Sequence, residues 1–182
     1  AEMYYRHQEA LMGKSRYYSM DPFHEGGSTE GVDLNAAYQA IWNQMKAHSP
    51  ESVWIIQSWQ GNPRKEALEA VPKGGYLILD LFSDGLPKWR KGYDGHDFAW
   101  CMLHNFGGRT GMHGRLESTM KDYFDALERY PETLKGIGAT PEGIETNPIL
   151  YDALFELPWM EEDECHGWIS GYTSARYGVA SE

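Results

Sequence analysis

The chain has 182 residues, which is long enough for one well-buried core and too short for two ordinary domains. Its formal net charge of −11 argues against nucleic acid or an anionic membrane as a partner, since both require basic surfaces. No apolar run approaches the roughly 18–20 residues of a membrane span, and two cysteines, Cys101 and Cys165, do not make a disulfide framework.

The first half of the chain alternates predicted strands with predicted helices. Residues 16–23 (RYYSMDPF) form a predicted strand that runs into a loop, because Pro22 interrupts regular pairing. Asp33 is the predicted N-cap of a helix whose apolar residues recur at helical spacing. Residues 53–59 (VWIIQSW) then form a short, nearly continuous apolar strand, and residues 64–71 form a short helix.

The second half continues this alternation. Residues 76–82 (YLILDLF) are the clearest strand, apolar throughout as is typical of a strand covered on both faces. Residues 98–106 (FAWCMLHNF) form another strand, and the next helical pattern stops at Pro131. A small-residue strand over 134–140 precedes a helix for which Asn147 is the predicted N-cap.

Five strands that alternate with helices predict a parallel sheet with helical crossovers, an α/β fold. One architecture that fits is a complete doubly wound sheet of the flavodoxin kind, which would bind FMN. The other is the C-terminal five strands of a (β/α)8 TIM barrel, which normally needs about 250 residues. The element pattern alone slightly favours the first, because a complete domain is the simpler assumption.

Two isolated glutamates follow different predicted strands. In parallel α/β folds functional residues lie on the loops after the carboxyl ends of strands, and Glu25 and Glu142 occupy such loops after the first and fifth strands. Glycoside hydrolysis requires one carboxylic acid to protonate the leaving oxygen and a second carboxylate to stabilise or attack the anomeric carbon. Seven Trp and twelve Tyr could supply sugar-stacking rings, although a core built from large residues explains them equally well.

Five segments of the chain resemble those of the α-N-acetylglucosaminidases, glycoside hydrolase family 89, in their order and approximate spacing: YYSMDPFHE, VWIIQSW, LILDLF, WCMLHNFGG and GATPEGIETNP. They extend from Tyr17 to Pro148. The resemblance reverses the preference between the two architectures. It implies that residues 1–160 are the second part of a (β/α)8 catalytic barrel and that residues 161–182 begin a C-terminal helical domain.

The same resemblance implies an exo-acting, retaining glycosidase without a cofactor. Such an enzyme releases terminal α-linked N-acetylglucosamine from heparan-sulfate-like glycans or other glycoconjugates, with Glu25 as the general acid/base and Glu142 as the nucleophile. Further residues are expected to contact the sugar. By the resemblance these are Trp59, Leu81, Leu103 and Phe106, and on position alone His104 and Asn105 are candidates.

One departure from the family pattern and one feature of the strand order bear on this expectation. The residue before the acid/base glutamate is usually Asn in the family and is His24 here, which could still donate to a sugar hydroxyl or could shift the pH optimum. In addition, Glu25 and Glu142 follow predicted strands that are four apart, whereas the two carboxylates of many glycosidase barrels are three strands apart.

Other functional classes fit less well. The histidines His24, His96, His104 and His113 match no zinc-ligand spacing, so no metal site is expected. The glycines of residues 107–111 lack the spacing of a nucleotide-binding loop. The alternative from another class is a non-catalytic carbohydrate-binding or structural α/β domain, which would tolerate Glu142→Gln.

The resemblance also implies partners beyond the glycan substrate. The first three strands of a barrel are expected to come from the remaining parts of the same parent polypeptide, so residues 1–182 alone are expected to be inactive. The resemblance also implies a compartment, which is lysosomal in animals and periplasmic or secreted in bacteria. None of the five Asn residues starts an Asn-x-Ser/Thr sequon, which favours the bacterial alternative.

Overall fold

The computed structural model describes residues 2–108 and 114–178, which contain five parallel strands and six α-helices. The strands are β1 (Tyr17–Ser19), β2 (Val53–Ser58), β3 (Tyr76–Asp80), β4 (Asp97–Met102) and β5 (Leu134–Ala139). The helices are α1 (Glu2–Met12), α2 (Leu34–His48), α3 (Lys65–Ala70), α4 (Leu116–Arg129), α5 (Pro148–Glu156) and α6 (Cys165–Tyr177). Within those two ranges, no helix has both the length and the apolar character needed to cross a membrane.

The strand order decides between the two predicted architectures. The strands pair in the order β1-β2-β3-β4-β5, and each adjacent pair is parallel. A doubly wound sheet reverses its strand order at a switch point, whereas a barrel adds each new strand beside the last. The sequential order is therefore that of the TIM barrel, and the doubly wound alternative is wrong.

The helices begin where local sequence supplies a start signal. The Asp33 carboxylate accepts a hydrogen bond from the Ala36 N–H at 3.0 Å, which caps one of the unpaired donors in the first turn of α2. Helix α5 begins with Pro148, whose fixed φ suits the first helical position and whose missing N–H would have no partner there. Both helix starts were predicted at these residues.

The two faces of the sheet are buried to different degrees. In β2 the side chains of Trp54, Ile56 and Ser58 are buried, and those that alternate with them are only half-buried. The parallel register aligns Ile56 with Ile78 and Phe98, so the buried positions form continuous rows across the strands. These rows pack in one core with the inner faces of α2, α3, α4 and α5.

Three local features differ from the sequence prediction. Helix α1 was not predicted; its Tyr5 ring is buried and stacks on His48 at a centroid distance of 5.1 Å. A 3₁₀ helix, Trp89–Gly95, joins β3 to β4 where an α-helical crossover was expected. Strand β4 ends at Met102, four residues before the predicted end.

Candidate active site

A cavity of about 520 Å³ lies at the carboxyl ends of the strands, where the parallel fold gathers its loops. The residues that line it come from the ends of all five strands: His24, Glu25, Gln57, Trp59, Gln60, Leu81, Leu103, Phe106 and Glu142. Glu25 and Glu142 follow the two outermost strands of the sheet and nevertheless line the same space. The cavity therefore contains the pair of carboxylates that the sequence suggested.

The loop that carries Glu25 has a constrained backbone. Phe23 and Glu25 both have positive φ, of 59° and 58°, which is uncommon for residues other than glycine. Asp21 fixes the start of this loop: its carboxylate accepts hydrogen bonds from the Gln57 N–H at 2.7 Å and from the Asn62 side-chain amide at 3.3 Å. Burial raises the pKa of the Asp21 carboxyl, and these hydrogen bonds oppose the rise.

The loop that carries Glu142 is held by the residues that follow β4. The Gly107 N–H donates to Oε2 of Glu142 at 3.0 Å, and the Glu142 N–H donates to Oδ1 of Asn105 at 2.8 Å. Gly107 has a φ of 68°, a left-handed conformation that glycine adopts without steric cost. Both the carboxylate and the backbone of Glu142 are thus oriented by this segment.

Aromatic rings form one wall of the cavity. Phe106 packs edge-on against Trp59 at a centroid distance of 5.4 Å, and Phe82 lies 5.5 Å from Phe106 and 6.3 Å from Trp59. Trp59 and Phe106 line the cavity, whereas Phe82 supports them from behind. Such a wall presents apolar ring surface on which the C–H face of a sugar can stack.

The predicted sugar-contacting residues divide into two groups. His24, Trp59, Leu81, Leu103 and Phe106 all line the cavity, as the sequence suggested. His24 is half-buried, and within the described residues its Nε2 has no hydrogen-bond partner.

Asn105 and His104 are fully enclosed and lie outside the cavity lining. The amide of Asn105 bonds to the backbone of the loop around Glu142. Nε2 of His104 accepts a hydrogen bond from the Asn147 N–H at 3.1 Å. Their structural partners are therefore in the protein, and direct contact of either with a sugar stays a prediction.

Sequence analysis missed two residues that line the cavity, Gln57 and Gln60. Gln57 could have been found, because period-two alternation along β2 places it on the same face as Trp59. Gln60 has a φ of 48° in the turn after β2, and no sequence signal identifies that conformation for glutamine.

Two aspartates, the buried Asp80 and the half-buried Asp84, hold the neighbouring loops. The Asp84 carboxylate accepts hydrogen bonds from the backbone N–H groups of Leu103 and His104, at 2.9 Å and 3.1 Å. The Asp80 carboxylate accepts from the N–H groups of Lys88 and Trp89. Burial raises the pKa of both aspartates, and the hydrogen bonds from the backbone act in the opposite direction and lower it. These aspartates therefore order the backbone around the cavity, whereas the side chains of Glu25 and Glu142 are exposed in it.

No cluster of three or more His, Cys, Asp or Glu side chains suited to a metal ion occurs within residues 2–108 and 114–178. His96 and His104 are both buried, and each has its own hydrogen-bond partner. Nε2 of His96 bonds to the Leu68 carbonyl, and Nε2 of His104 accepts from the Asn147 N–H. His113 and residues 109–111 of the glycine-rich stretch lie outside the described residues.

Comparison with known proteins gives consistent similarities. The family model described as "Alpha-N-acetylglucosaminidase (NAGLU) tim-barrel domain" matches residues 1–161. The human alpha-N-acetylglucosaminidase is 35% identical over 184 residues, which cover 92% of this chain and 25% of the human protein.

Solved structures of a family 89 glycoside hydrolase from Clostridium perfringens superpose over the whole chain. One is a variant with two Glu→Gln substitutions in complex with its substrate, GlcNAc-alpha-1,4-galactose, with a TM-score of 0.91 and 38% identity. Another, in complex with 2-acetamido-1,2-dideoxynojirmycin, has a TM-score of 0.91 and 39% identity. This chain covers 21% of the length of each of those chains and so corresponds to about a fifth of the solved relative.

Proposed function

Because the chain belongs to the alpha-N-acetylglucosaminidase (NAGLU) TIM-barrel domain family, we propose that its cavity releases terminal α-linked N-acetylglucosamine from the ends of glycans. One observation carries the proposal. Two glutamates from the opposite edges of the sheet, Glu25 and Glu142, line a single cavity beside an aromatic wall. A pair of carboxylates that line one cavity is the minimum machinery of glycoside hydrolysis.

The mechanism is a double displacement that retains the anomeric configuration. In the first step an oxygen of the Glu142 carboxylate bonds to the anomeric carbon while the glycosidic C–O bond breaks and Glu25 gives its proton to the leaving oxygen. In the second step water attacks the same carbon, Glu25 takes a proton from that water, and the bond to Glu142 breaks. The retaining mechanism requires the two carboxyl groups to lie about 5–5.5 Å apart when the sugar is bound.

The choice of these two glutamates has support from the solved relative. The substrate complex was obtained with a variant in which two glutamates are replaced by glutamine. Those two glutamates are separated in their own sequence by nearly the same number of residues as Glu25 and Glu142. Replacing carboxylates with amides preserves shape and removes the acid, base and nucleophile, which suits the capture of an intact substrate.

Recognition of the sugar falls to the rest of the lining. Trp59 and Phe106 stack on the pyranose ring, and Leu81 and Leu103 complete the apolar floor. His24 lines the cavity next to Glu25, so its ring is placed to hydrogen-bond a sugar hydroxyl. The substrates are the terminal α-N-acetylglucosaminides of heparan-sulfate-like chains or of other glycoconjugates, among them the GlcNAc-alpha-1,4-galactose bound by the relative.

The proposal is tested with the full-length protein that carries these residues. Wild type is expected to hydrolyse an aryl α-N-acetylglucosaminide, and Glu142→Ala is expected to lose almost all turnover. Azide should then restore reaction in Glu142→Ala and give the inverted β-glycosyl azide, because azide replaces the missing carboxylate on the same face of the sugar. Glu25→Ala should lose about 10²–10⁴-fold in kcat on a poor leaving group and much less on 2,4-dinitrophenol, which leaves without protonation.

The matched control is Glu30→Gln, which alters an exposed glutamate five residues beyond Glu25 that does not line the cavity. It should keep wild-type turnover. If wild type is folded but has no activity on α-N-acetylglucosaminides, the proposal fails. If wild type binds the sugar without turnover and Glu142→Gln leaves that binding intact, the cavity belongs to a carbohydrate-binding domain instead.

A further inference from the structure

The loop of residues 141–147, here the Glu142 loop, has no regular secondary structure and yet carries the proposed nucleophile. Its backbone is held by the side chain of Asn105, which follows β4 and is fully buried. Oδ1 of Asn105 accepts from the Glu142 N–H at 2.8 Å, and Nδ2 donates to the Gly143 carbonyl at 2.8 Å and to the Glu145 carbonyl at 3.2 Å.

These three bonds use nearly all of the bonding capacity of the amide. A primary amide has two N–H donors and one carbonyl oxygen, and here both hydrogens are directed at backbone carbonyls. The partners also fix the orientation of the amide, because a flipped Asn105 would point its NH₂ group at the Glu142 N–H. Asn105 therefore has no donor left for a sugar hydroxyl.

The segment that contains Asn105 holds Glu142 at a second point. The Gly107 N–H donates to Oε2 of Glu142, so the backbone and the carboxylate of this residue are attached to the same short segment. That segment is itself fixed by the Asp84 carboxylate, which accepts from the N–H groups of Leu103 and His104. Hydrogen bonds thus run from the β3–β4 connection through the end of β4 to the Glu142 loop.

We propose that Asn105 is a positioning residue for Glu142, which sets the place of the nucleophile without touching the substrate. This inference depends on the proposed function, in which Glu142 attacks the anomeric carbon. A displacement of about 1 Å in a reacting group can cost 10²-fold in rate, so an anchor on the backbone of the nucleophile has a direct kinetic effect.

The packing of Gly143 supports the same role. A Cβ at residue 143 would lie 3.0 Å from Nδ2 of Asn105, closer than ordinary contact allows. The absence of a side chain lets the loop approach the amide closely enough for the bond to the Gly143 carbonyl. Gly143→Ala consequently perturbs the anchor from the other side, with the amide still present.

The first test compares Asn105→Ala with wild type in the full-length protein. We expect kcat on an aryl α-N-acetylglucosaminide to fall about 100-fold, as for a misplaced reacting group. KM should change by less than about threefold, because the lost interaction acts in the transition state and not on substrate binding. Gly143→Ala should also lower kcat, by a smaller factor. This variant provides the test if Asn105→Ala does not fold.

The second test separates positioning from other roles. In Glu142→Ala the nucleophile is azide, which Asn105 does not hold. Adding Asn105→Ala, or Gly143→Ala, to Glu142→Ala should therefore leave the azide-driven rate within about twofold, although the same change is severe when Glu142 is present. Equal losses in the two backgrounds would mean that Asn105 supports the sugar site in general, and would overturn the inference.

The outcomes also distinguish the two proposals. A wild-type protein that shows no turnover overturns the proposed function, and the positioning role falls with it. A wild-type protein that is active, with Asn105→Ala active at the wild-type rate, overturns only the role of Asn105.

Discussion

One polar side chain from the segment that follows each of β1, β3 and β4 fixes a loop around the cavity. Asp21 accepts the Gln57 N–H beside the Glu25 loop, Asp84 accepts two N–H groups after β4, and Asn105 bonds to the Glu142 loop. Each forms hydrogen bonds with backbone groups of a loop. A backbone group left without a partner away from water would cost roughly 1–3 kcal/mol. Precision in the loops therefore comes from a few residues that do not touch the cavity.

His96 shows how burial of a single titratable group affects stability. The ring is fully buried, and Nε2 lies 2.9 Å from the Leu68 carbonyl of α3, so the neutral ring donates its Nε2–H there. Burial lowers the pKa of His96 below its ordinary value, although the hydrogen bond to Leu68 opposes this. The unfolded chain consequently binds a proton at a higher pH than the folded one does.

This shift predicts a pH dependence of unfolding. The contribution of neutral His96 is fully present above an unfolded pKa of about 6.5 and is lost as the pH falls below that value, with a limiting slope of about 1.4 kcal/mol per pH unit. His96→Gln keeps a donor for the Leu68 carbonyl but does not titrate. The free energy of urea unfolding, measured from pH 8 to pH 5, should decline more steeply for wild type than for His96→Gln. Parallel curves for the two proteins would contradict the prediction.

At the scale of elements, the sequence predicted where strands begin better than where they end. The predicted strands over 53–59 and 76–82 begin where β2 and β3 begin and extend one or two residues too far. The prediction for β4 extends four residues too far, because the next N–H groups bond to Asp84 in place of a neighbouring strand. These hydrogen bonds join residues about twenty positions apart, so a local pattern of apolar residues cannot predict them.

The conformation of the connection from β3 to β4 also could not be predicted from local sequence patterns. The chain forms a 3₁₀ helix in which Gly92, Tyr93 and Asp94 all have left-handed φ. Long-range contacts stabilise it: the Tyr93 hydroxyl donates to Oγ of Ser58 at 2.8 Å, and the Asp80 carboxylate accepts from the start of the 3₁₀ helix. A run of three left-handed residues, two of which are not glycine, depends on such contacts.

Gly92→Ala tests that connection. The residue has a φ of 73°, and a Cβ would lie 2.8 Å from the ring of Tyr130, which donates its hydroxyl to the Arg90 carbonyl. The control is Gly31→Ala, which has a similar φ of 75° but no atom within 4 Å of the added Cβ. Gly31→Ala should cost about 1–2 kcal/mol for the left-handed backbone alone, and Gly92→Ala a further 1–3 kcal/mol or so for the clash. Equal losses in urea unfolding would show that Tyr130 moves aside freely.

At the scale of the molecule, the five strands have the order and parallel pairing of a TIM barrel, a fold that closes only with eight strands. The half-buried face of the sheet carries the alternate residues of β2 and β3 and continues into the cavity lining at Gln57 and Trp59. In a TIM barrel that face is filled by side chains from the other strands. The resemblance identified this architecture from short motifs, whereas alternation of elements alone favoured a complete five-stranded domain.

The open edges of the sheet predict the behaviour of residues 1–182 when they are expressed alone. Within residues 2–108 and 114–178, strands β1 and β5 each pair on one side only, so each presents N–H and C=O groups at an open edge that can join another chain. We expect this segment to self-associate and to lack turnover, because a barrel of eight strands also encloses the sugar with loops that five strands do not provide. The full-length protein, by contrast, should sediment as a defined species and hydrolyse an aryl α-N-acetylglucosaminide. A monomeric, active preparation of residues 1–182 would show that the five strands are sufficient, and would require the edges of β1 and β5 to be covered from within the segment.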